Sequence, residues 1–262
     1  MTESVDRLSI RLRDGAELYY EVHGAGEPLL LLHGGGGAGV NWKLVFDFDA
    51  PPVDYRLVVP DLRGHGRSTN PSGLVTFRQL ADDVIALLDH LAIEQAYMIG
   101  LSMGAKTLLH VATRSPHRVR RMVLVSAAPY FPEKTRAAMR RAAQAPKTDH
   151  DWELMRRWHS RGDDQINALW SMAAAFANDY EDLNFTLSRL GTITAPTLIV
   201  HGDRDWLYPT SLAIELHTGI ANSQLWIVPN GGHGPIFGEM APQFAETALQ
   251  FLSGTRTQQV EL

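Results

Sequence analysis

Short apolar runs alternate with segments of helical periodicity over much of the chain. Each run has the length of a strand and no polar face, which is typical of the central strands of a parallel sheet. These runs cover residues 29–32, 57–59, 97–99, 122–125, 197–200 and 225–228. Ahead of them, residues 10–13 and 18–22 alternate around Asp14-Gly15, a pattern that predicts a hairpin. The whole pattern predicts an α/β fold with a doubly wound, mostly parallel sheet.

The strand pattern is interrupted once, between residues 128 and 191. Only helical patterns occur there, over residues 132–145, 151–159, 164–177 and 180–190. One apolar stripe combines Ile166, Leu169, Trp170 and Ala173. We therefore predict a core domain of residues 1–127 and 192–262, with a helical cap of residues 128–191 inserted after the sixth strand. Further helices are predicted near residues 80–91, 103–112, 210–218 and 242–252.

A tight strand-to-helix turn is predicted at residues 100–104, which read Gly-Leu-Ser-Met-Gly. An apolar strand precedes this segment and a helical pattern follows it, so that Ser102 occupies a nucleophile elbow. Side chains at Gly100 or Gly104 would collide with the neighbouring strand or helix. The N-terminus of the following helix favours negative charge at the same place.

Two further strand ends carry residues that can activate a serine. Asp205 follows the strand at residues 197–200, and His233 lies in the glycine-rich segment after residues 225–228. A serine hydroxyl becomes a good nucleophile when a base takes its proton, and a carboxylate orients that base. Ser102, His233 and Asp205 therefore form a predicted catalytic triad. Asp203 is the competing candidate for the acid.

With these motifs, the chain resembles the α/β-hydrolase superfamily over nearly its whole length. The matching segments are residues 33–35, 61–68, 100–104, 202–205 with Pro209, and 232–233. The chain is most similar to the compact single-cap branch of esterases, lactonases, carbon–carbon bond hydrolases and cofactor-free haloperoxidases. The elbow departs from the pattern at Ala105, where many relatives have glycine, and at Lys106, where a small residue is common.

The resemblance implies roles for further residues. The backbone N–H groups of Gly35 and Met103 are expected to form the oxyanion hole. Apolar side chains of the cap imply a small-to-medium apolar substrate, with Gly34, Trp158, Trp170 and Phe176 expected to line its pocket. His33, His65 and His201 are expected to hydrogen-bond loop backbone, and Arg63 to pair with Asp61. No cofactor and no metal are implied.

Hydrolysis of carboxylic esters through an acyl-enzyme on Ser102 is the leading hypothesis for function. A lactonase or carbon–carbon bond hydrolase would use the same triad, and a haloperoxidase or perhydrolase also matches Met103 beside the serine. A non-catalytic small-molecule receptor is the alternative from another class, since this fold hosts such proteins. The glycines at residues 34–37 superficially resemble a phosphate loop, but no Gly-Lys-Ser/Thr follows them.

Composition narrows the possible partners and the location. The 262 residues carry a net charge of −5, which argues against nucleic acid or an anionic membrane as partner. The absence of cysteine excludes disulfides and thiolate metal ligands. Residues 1–6 are polar, so we expect no signal peptide, and no apolar run approaches membrane-spanning length. We expect a cytoplasmic monomer or homodimer that acts on a small-molecule ester or lactone.

Overall fold

A computed structural model describes residues 8–254 of the chain. The expectation for residues 1–6 lies outside the described residues. Within the described range, the chain forms one eight-stranded sheet in the order β1-β2-β4-β3-β5-β6-β7-β8. The strands are β1 Leu8–Arg11, β2 Glu17–His23, β3 Glu27–Leu32, β4 Tyr55–Pro60, β5 Ala96–Leu101, β6 Val119–Val125, β7 Thr197–Gly202 and β8 Ser223–Val228.

The sheet is parallel from β4 to β8 and antiparallel at its β1 and β2 edge. Strand β3 pairs with β4 on one side and β5 on the other, and β5, β6, β7 and β8 follow in parallel register. Strands β1 and β2 form the predicted hairpin, with Ile10 opposite Leu18. The expected doubly wound, mostly parallel sheet is confirmed.

Apolar side chains cover both faces of the sheet, which explains the continuous apolar runs in the sequence. In β3, Leu30 and Leu32 belong to the cluster on one face, while Leu29 and Leu31 belong to the cluster on the other. All four are completely buried. Helices complete these two layers, and Phe244 of the last helix packs into the second cluster.

Eight α-helices occur in the described residues. They are α1 Phe77–His90, α2 Met103–Arg114, α3 Glu133–Gln144, α4 Asp149–Trp158, α5 Asp163–Asn178, α6 Leu187–Leu190, α7 Thr210–Gly219 and α8 Ala241–Ser253. Short 3-10 helices cover Gly39–Leu44, Pro116–Arg118 and Gly238–Met240. Helices α3 to α6 all lie between β6 and β7, in the segment expected to form the cap.

The expected helix over residues 180–190 is wrong for most of its length. Only Leu187–Leu190 is helical, and Thr186 caps this turn by accepting a hydrogen bond from the Arg189 amide. Ahead of it, Asn184 forms an isolated β-bridge with Tyr130, and the Phe185 amide donates to the Pro129 carbonyl. These backbone contacts to residues 129–130 hold the chain extended, so tertiary pairing overrides the helical pattern.

Candidate active site

The turn after β5 has the geometry of a nucleophile elbow. Ser102 adopts φ 49° and ψ −102°, a strained conformation for a residue with a side chain. Its amide donates to the Val125 carbonyl of the neighbouring strand. A Cβ atom at Gly100 would lie 2.6 Å from the Ala105 nitrogen, and one at Gly104 would lie 2.4 Å from the Leu32 carbonyl oxygen. Only glycine fits at both positions, as the sequence predicts.

Three side chains from separate parts of the chain meet at this turn. His233 Nε2 lies 2.9 Å from Ser102 Oγ, and His233 Nδ1 lies 2.8 Å from Asp205 Oδ2. Both distances are those of hydrogen bonds, so the imidazole connects the hydroxyl with the carboxylate. The arrangement can move a proton from Ser102 to His233 while Asp205 stabilises the resulting imidazolium.

Asp205 occupies a position that keeps it ionised. Its Oδ1 atom accepts hydrogen bonds from the amides of Leu207 and Tyr208. Burial acts to raise the pKa of Asp205, but the hydrogen bond and charge of His233, with those two amides, lower it below its ordinary value. Asp203, the competing acid, is exposed, whereas the Asp205 side chain is completely buried against His233.

The two amides expected to bind an oxyanion lie on adjacent segments. A Cβ atom at Gly35 would lie 3.9 Å from the Met103 sulfur, so the glycine loop passes directly over the start of α2. Among the hydrogen bonds of residues 8–254, neither the Gly35 nor the Met103 amide donates to another protein group. Both donors are thus available to a bound oxygen atom.

Three neutral histidines fix the backbone of this glycine loop. His33 Nε2 accepts from the Leu62 amide, and His65 Nε2 accepts from the Gly36 amide. Burial lowers the pKa of His33 to about 4, and it lowers the pKa of His65 well below its ordinary value. Each imidazole therefore keeps the unprotonated nitrogen that its acceptor role requires. Both contacts agree with the structural role expected for these residues.

The third histidine was not predicted from the sequence. His159 directly follows α4, and its Nδ1 atom accepts from the Gly66 amide while its Nε2 donates to the Gly36 carbonyl. It therefore ties the helical segment to the glycine loop beside Gly35. Burial lowers the pKa of His159, which favours this neutral state. The sequence did not indicate this role, because a single histidine after a helix belongs to no recognisable motif.

The expected ion pair between Arg63 and Asp61 is wrong. Arg63 instead pairs with Asp83 of α1 and with Asp14 in the hairpin turn. Asp61 accepts from the amides of Gly39 and Arg67, 2.7 and 2.9 Å away. The short loop places the aspartate under its own backbone and leaves the arginine facing α1. Asp61 therefore braces the loop through hydrogen bonds to amides.

Lys106, the departure from the family pattern, is almost completely buried. Its Nζ atom donates to the Tyr208 hydroxyl at 2.5 Å and lies 4.8 to 5.3 Å from the ring centres of Phe77, Phe131 and Tyr208. The Tyr208 ring packs edge-on against His233, with centroids 5.0 Å apart. Lys106 stands out in the sequence as a departure from the family pattern, whereas no motif indicates Tyr208, which lies beside it.

The four expected pocket residues lie in different surroundings. Gly34 lies beside Leu101 in the glycine loop. Phe176 is buried and stacks on Phe77, with centroids 4.5 Å apart, so it reaches the surroundings of Lys106. Trp170 packs against Trp152 inside the helical segment, and Trp158 is half-buried at the end of α4. Met155, which is not one of these four residues, reaches the glycine loop and lies 4.0 Å from a Cβ atom placed on Gly36.

A separate cavity lies between the loop at residues 64–75 and α5. Its volume is about 650 Å³, and its lining includes Arg161, Leu169 and Met172 but not Ser102, Asp205 or His233. Among the described residues, no group of three or more His, Cys, Asp or Glu side chains is placed to hold a metal ion. In residues 8–254, no helix is both long and apolar enough to cross a membrane.

The fold and the site together define a class of protein. An elbow serine at the end of a parallel strand, with histidine and aspartate from later strand ends, is the arrangement of the α/β-hydrolase fold. A model of the alpha/beta hydrolase fold family matches residues 27–183. The chain belongs to the α/β-hydrolase family.

Several known proteins resemble the chain over most of its length. It is 31% identical to 2-hydroxymuconate semialdehyde hydrolase of Pseudomonas sp. (strain CF600), over 88% of each chain. It is 27% identical to a putative non-heme chloroperoxidase of Synechocystis sp., over 83% of this chain and 88% of the relative. The meta-cleavage product hydrolase of Pseudomonas fluorescens IP01 superposes with a TM-score of 0.80 at 24% identity, covering 95% and 98% of the two chains.

Proposed function

We propose that the protein is a serine hydrolase that cleaves carboxylic esters of small-to-medium apolar substrates through an acyl-enzyme on Ser102. The hydrogen-bonded series from Ser102 Oγ through His233 to Asp205 is the observation that carries this proposal. His233 takes the serine proton as Oγ attacks the acyl carbon, and returns a proton to the leaving alcohol. Water then attacks the acyl-enzyme while His233 takes the water proton, and the acid is released as His233 returns a proton to Ser102 Oγ.

The oxyanion formed in each step needs donors that are already in place. We assign this role to the amides of Gly35 and Met103, which donate to no other group among the described residues. His65 and His159 support it by holding Gly36 through its amide and its carbonyl. Because this support comes partly from the helical segment, we propose that residues 128–191 act as a cap over the site.

The side chains near the site support the proposed apolar substrate. Phe77 and Phe131 lie close to Lys106, and Phe176 stacks on Phe77, so these rings give this region an apolar character. Each buried methylene of a substrate contributes about 0.8 kcal/mol, so we expect a graded preference for acyl length. Gly34, Trp158 and Trp170 stay predicted pocket residues, and the cytoplasmic location and the monomeric or dimeric state stay predictions from the sequence.

The test is hydrolysis of p-nitrophenyl esters of two to eight carbons by wild type and Ser102→Ala. Loss of a triad member is expected to reduce kcat by at least about 10⁴-fold. Mass spectrometry after brief reaction should find the acyl group on Ser102. Asp203→Asn is the matched control for Asp205→Asn, and only the second is expected to lose activity. Undiminished turnover by Ser102→Ala would contradict the proposal.

Hydrolysis of a carbon–carbon bond is the second candidate function. The relative named 2-hydroxymuconate semialdehyde hydrolase, at 31% identity, favours it because that substrate contains no ester bond. The same Ser102, His233 and Asp205 would serve this reaction. Parallel assays with 2-hydroxymuconate semialdehyde separate the two functions. Its cleavage is measured as the loss of absorbance of its conjugated system. A kcat/KM for the semialdehyde far above that for every ester would favour carbon–carbon bond hydrolysis over ester hydrolysis.

A further inference from the structure

Trp206 is the one tryptophan of the chain whose side chain lies mainly in solvent. It is 67% exposed, whereas the other five tryptophans, which all lie among the described residues, are buried or half-buried. Its indole nevertheless lies beside the imidazole of His233, with ring centroids 6.3 Å apart and ring planes at 61°. Single exposed apolar side chains are common on protein surfaces, so it is the position beside His233 that makes this exposure informative.

The open side of the His233 imidazole is bordered by this indole. Among the described residues, four side chains form hydrogen bonds or aromatic contacts with the imidazole: Ser102, Asp205, Tyr208 and Trp206. The Asp205 side chain is completely buried, and Ser102 and Tyr208 are buried as well. Trp206 is the one of these four neighbours that reaches solvent. Any group that approaches His233 from solvent therefore comes close to the indole ring.

Hydrogen bonds hold the backbone on both sides of Trp206. The Asp205 amide donates to the Gly202 carbonyl, and Asp205 Oδ1 accepts from the Leu207 amide. From the helical segment, Thr135 Oγ1 donates to the Leu207 carbonyl at 2.7 Å. Because the backbone is already fixed, the indole can contact a bound molecule with little further loss of backbone freedom.

The leaving alcohol of an ester has to come close to the same ring. As Ser102 Oγ forms a bond with the acyl carbon, the bond from that carbon to the alkoxy oxygen breaks, and His233 gives that oxygen the proton it took from Oγ. This transfer needs the alkoxy oxygen within about 2.6 to 3.2 Å of His233 Nε2. Since Tyr208 packs on the buried side of the imidazole, the rest of the alcohol extends toward solvent and past Trp206.

We propose that Trp206 is a specificity-determining residue that packs against the alcohol part of the substrate, so that esters of aromatic alcohols are preferred over esters of short alkyl alcohols. This inference rests on the proposed serine-hydrolase function. Aromatic rings that pack offset or edge-on against an indole gain more than the buried apolar area alone provides. The inference concerns the alcohol part and leaves the graded preference for acyl length unchanged.

The experiment measures hydrolysis of benzyl butyrate and ethyl butyrate by wild type, Trp206→Ala and Trp206→Phe, through titration of the released butyric acid. Both esters form the same butyryl-enzyme and release a primary alcohol, so the ratio of their kcat/KM values reports contacts to the alcohol part. We expect this ratio to fall about five- to tenfold in Trp206→Ala and only about twofold in Trp206→Phe, which keeps an aromatic ring. The kcat/KM for ethyl butyrate should change by less than about twofold in both variants.

A third ester and a control variant sharpen the comparison. Cyclohexylmethyl butyrate carries an apolar ring that is not aromatic, so Trp206→Ala should lower its kcat/KM less than that of benzyl butyrate. Ile214→Ala is the matched control, because it truncates another exposed apolar side chain, which lies on α7. Its ratio of benzyl to ethyl butyrate should equal that of wild type. Thermal unfolding verifies that each variant is folded.

Four outcomes would contradict the inference. An unchanged ratio in Trp206→Ala, with ester hydrolysis intact, would overturn it and leave the serine mechanism standing. An equal loss of kcat/KM for benzyl and ethyl butyrate would show that Trp206 supports His233 and does not select the alcohol. An equal loss for benzyl and cyclohexylmethyl butyrate would overturn the preference for aromatic alcohols. Full turnover by Ser102→Ala would overturn the inference together with the function on which it rests.

Discussion

Replacing Lys106 by methionine is expected to stabilise the fold, with a gain that shrinks as the pH rises. Methionine has a similar volume and a flexible apolar side chain, so it fits the space between Phe77, Phe131 and Tyr208. It carries no charge that folding must remove from water. The change therefore removes a desolvation cost and one hydrogen bond to Tyr208.

The size of the effect follows from the pKa of Lys106. Burial lowers it from 10.5 to about 7, despite the opposing charge of Asp205. At 1.36 kcal/mol per pKa unit, keeping the amine charged costs the folded state about 5 kcal/mol. Below pH 7 the amine is protonated in both states and this cost is complete. Between pH 7 and 10.5 the unfolded chain binds more protons, so the stability of wild type rises with pH in this window.

The assay is urea unfolding of wild type and Lys106→Met at pH 6, 8 and 10, followed by tryptophan fluorescence. From the charge alone, we expect the unfolding free energy of Lys106→Met to exceed that of wild type by about 5 kcal/mol at pH 6 and by about 1 kcal/mol at pH 10. Loss of the hydrogen bond to Tyr208 subtracts about 1 kcal/mol from both values. Lys134→Met changes an exposed lysine and should stay within about 0.5 kcal/mol throughout. A difference that does not change with pH, or a variant less stable at pH 6, would refute the reasoning.

Three further substitutions test the framework of the site. Gly104→Ala places a Cβ atom 2.4 Å from the Leu32 carbonyl oxygen, and a loss of more than about 3 kcal/mol in unfolding free energy is expected, measured by urea titration. His159→Leu leaves the Gly66 amide and the Gly36 carbonyl without partners, so we expect a loss of about 2 to 4 kcal/mol in unfolding free energy and a lower kcat. An unchanged kcat would show that His159 does not support the glycine loop in catalysis. Arg63→Met leaves the carboxylate of Asp83 buried without a partner and should lower stability by about 3 to 5 kcal/mol at pH 7, with a smaller loss in Asp83→Asn/Arg63→Met.

The features that the sequence predicted well are those encoded within a few residues. Continuous apolar runs occur where both faces of a strand are buried, and those runs located all six parallel strands. Gly100 and Gly104 indicated the elbow, because only glycine leaves room for α2 beside Gly100 and for Leu32 beside Gly104. Because the carboxyl ends of parallel strands share one edge of a sheet, the sequence also predicted that Ser102 and His233 lie together.

The expectations that were wrong depended on partners far along the chain. A helical pattern over residues 180–190 gave way to pairing of Asn184 with Tyr130. Arg63 lies two residues from Asp61, yet its carboxylate partners are Asp83 on α1 and Asp14 in the hairpin turn. Local pattern carries no information about such contacts, because their energies come from packing between elements.

By itself, the sequence determined the sheet and the elbow, and it predicted which serine, histidine and aspartate the structure brings together. Only the tertiary structure decided that His159 supports the glycine loop and that Lys106 lies against the hydroxyl of Tyr208, 102 residues away. The physical reason is that backbone geometry and strand burial follow from neighbouring residues. The protonation state and the partners of a buried polar side chain follow from everything packed around it.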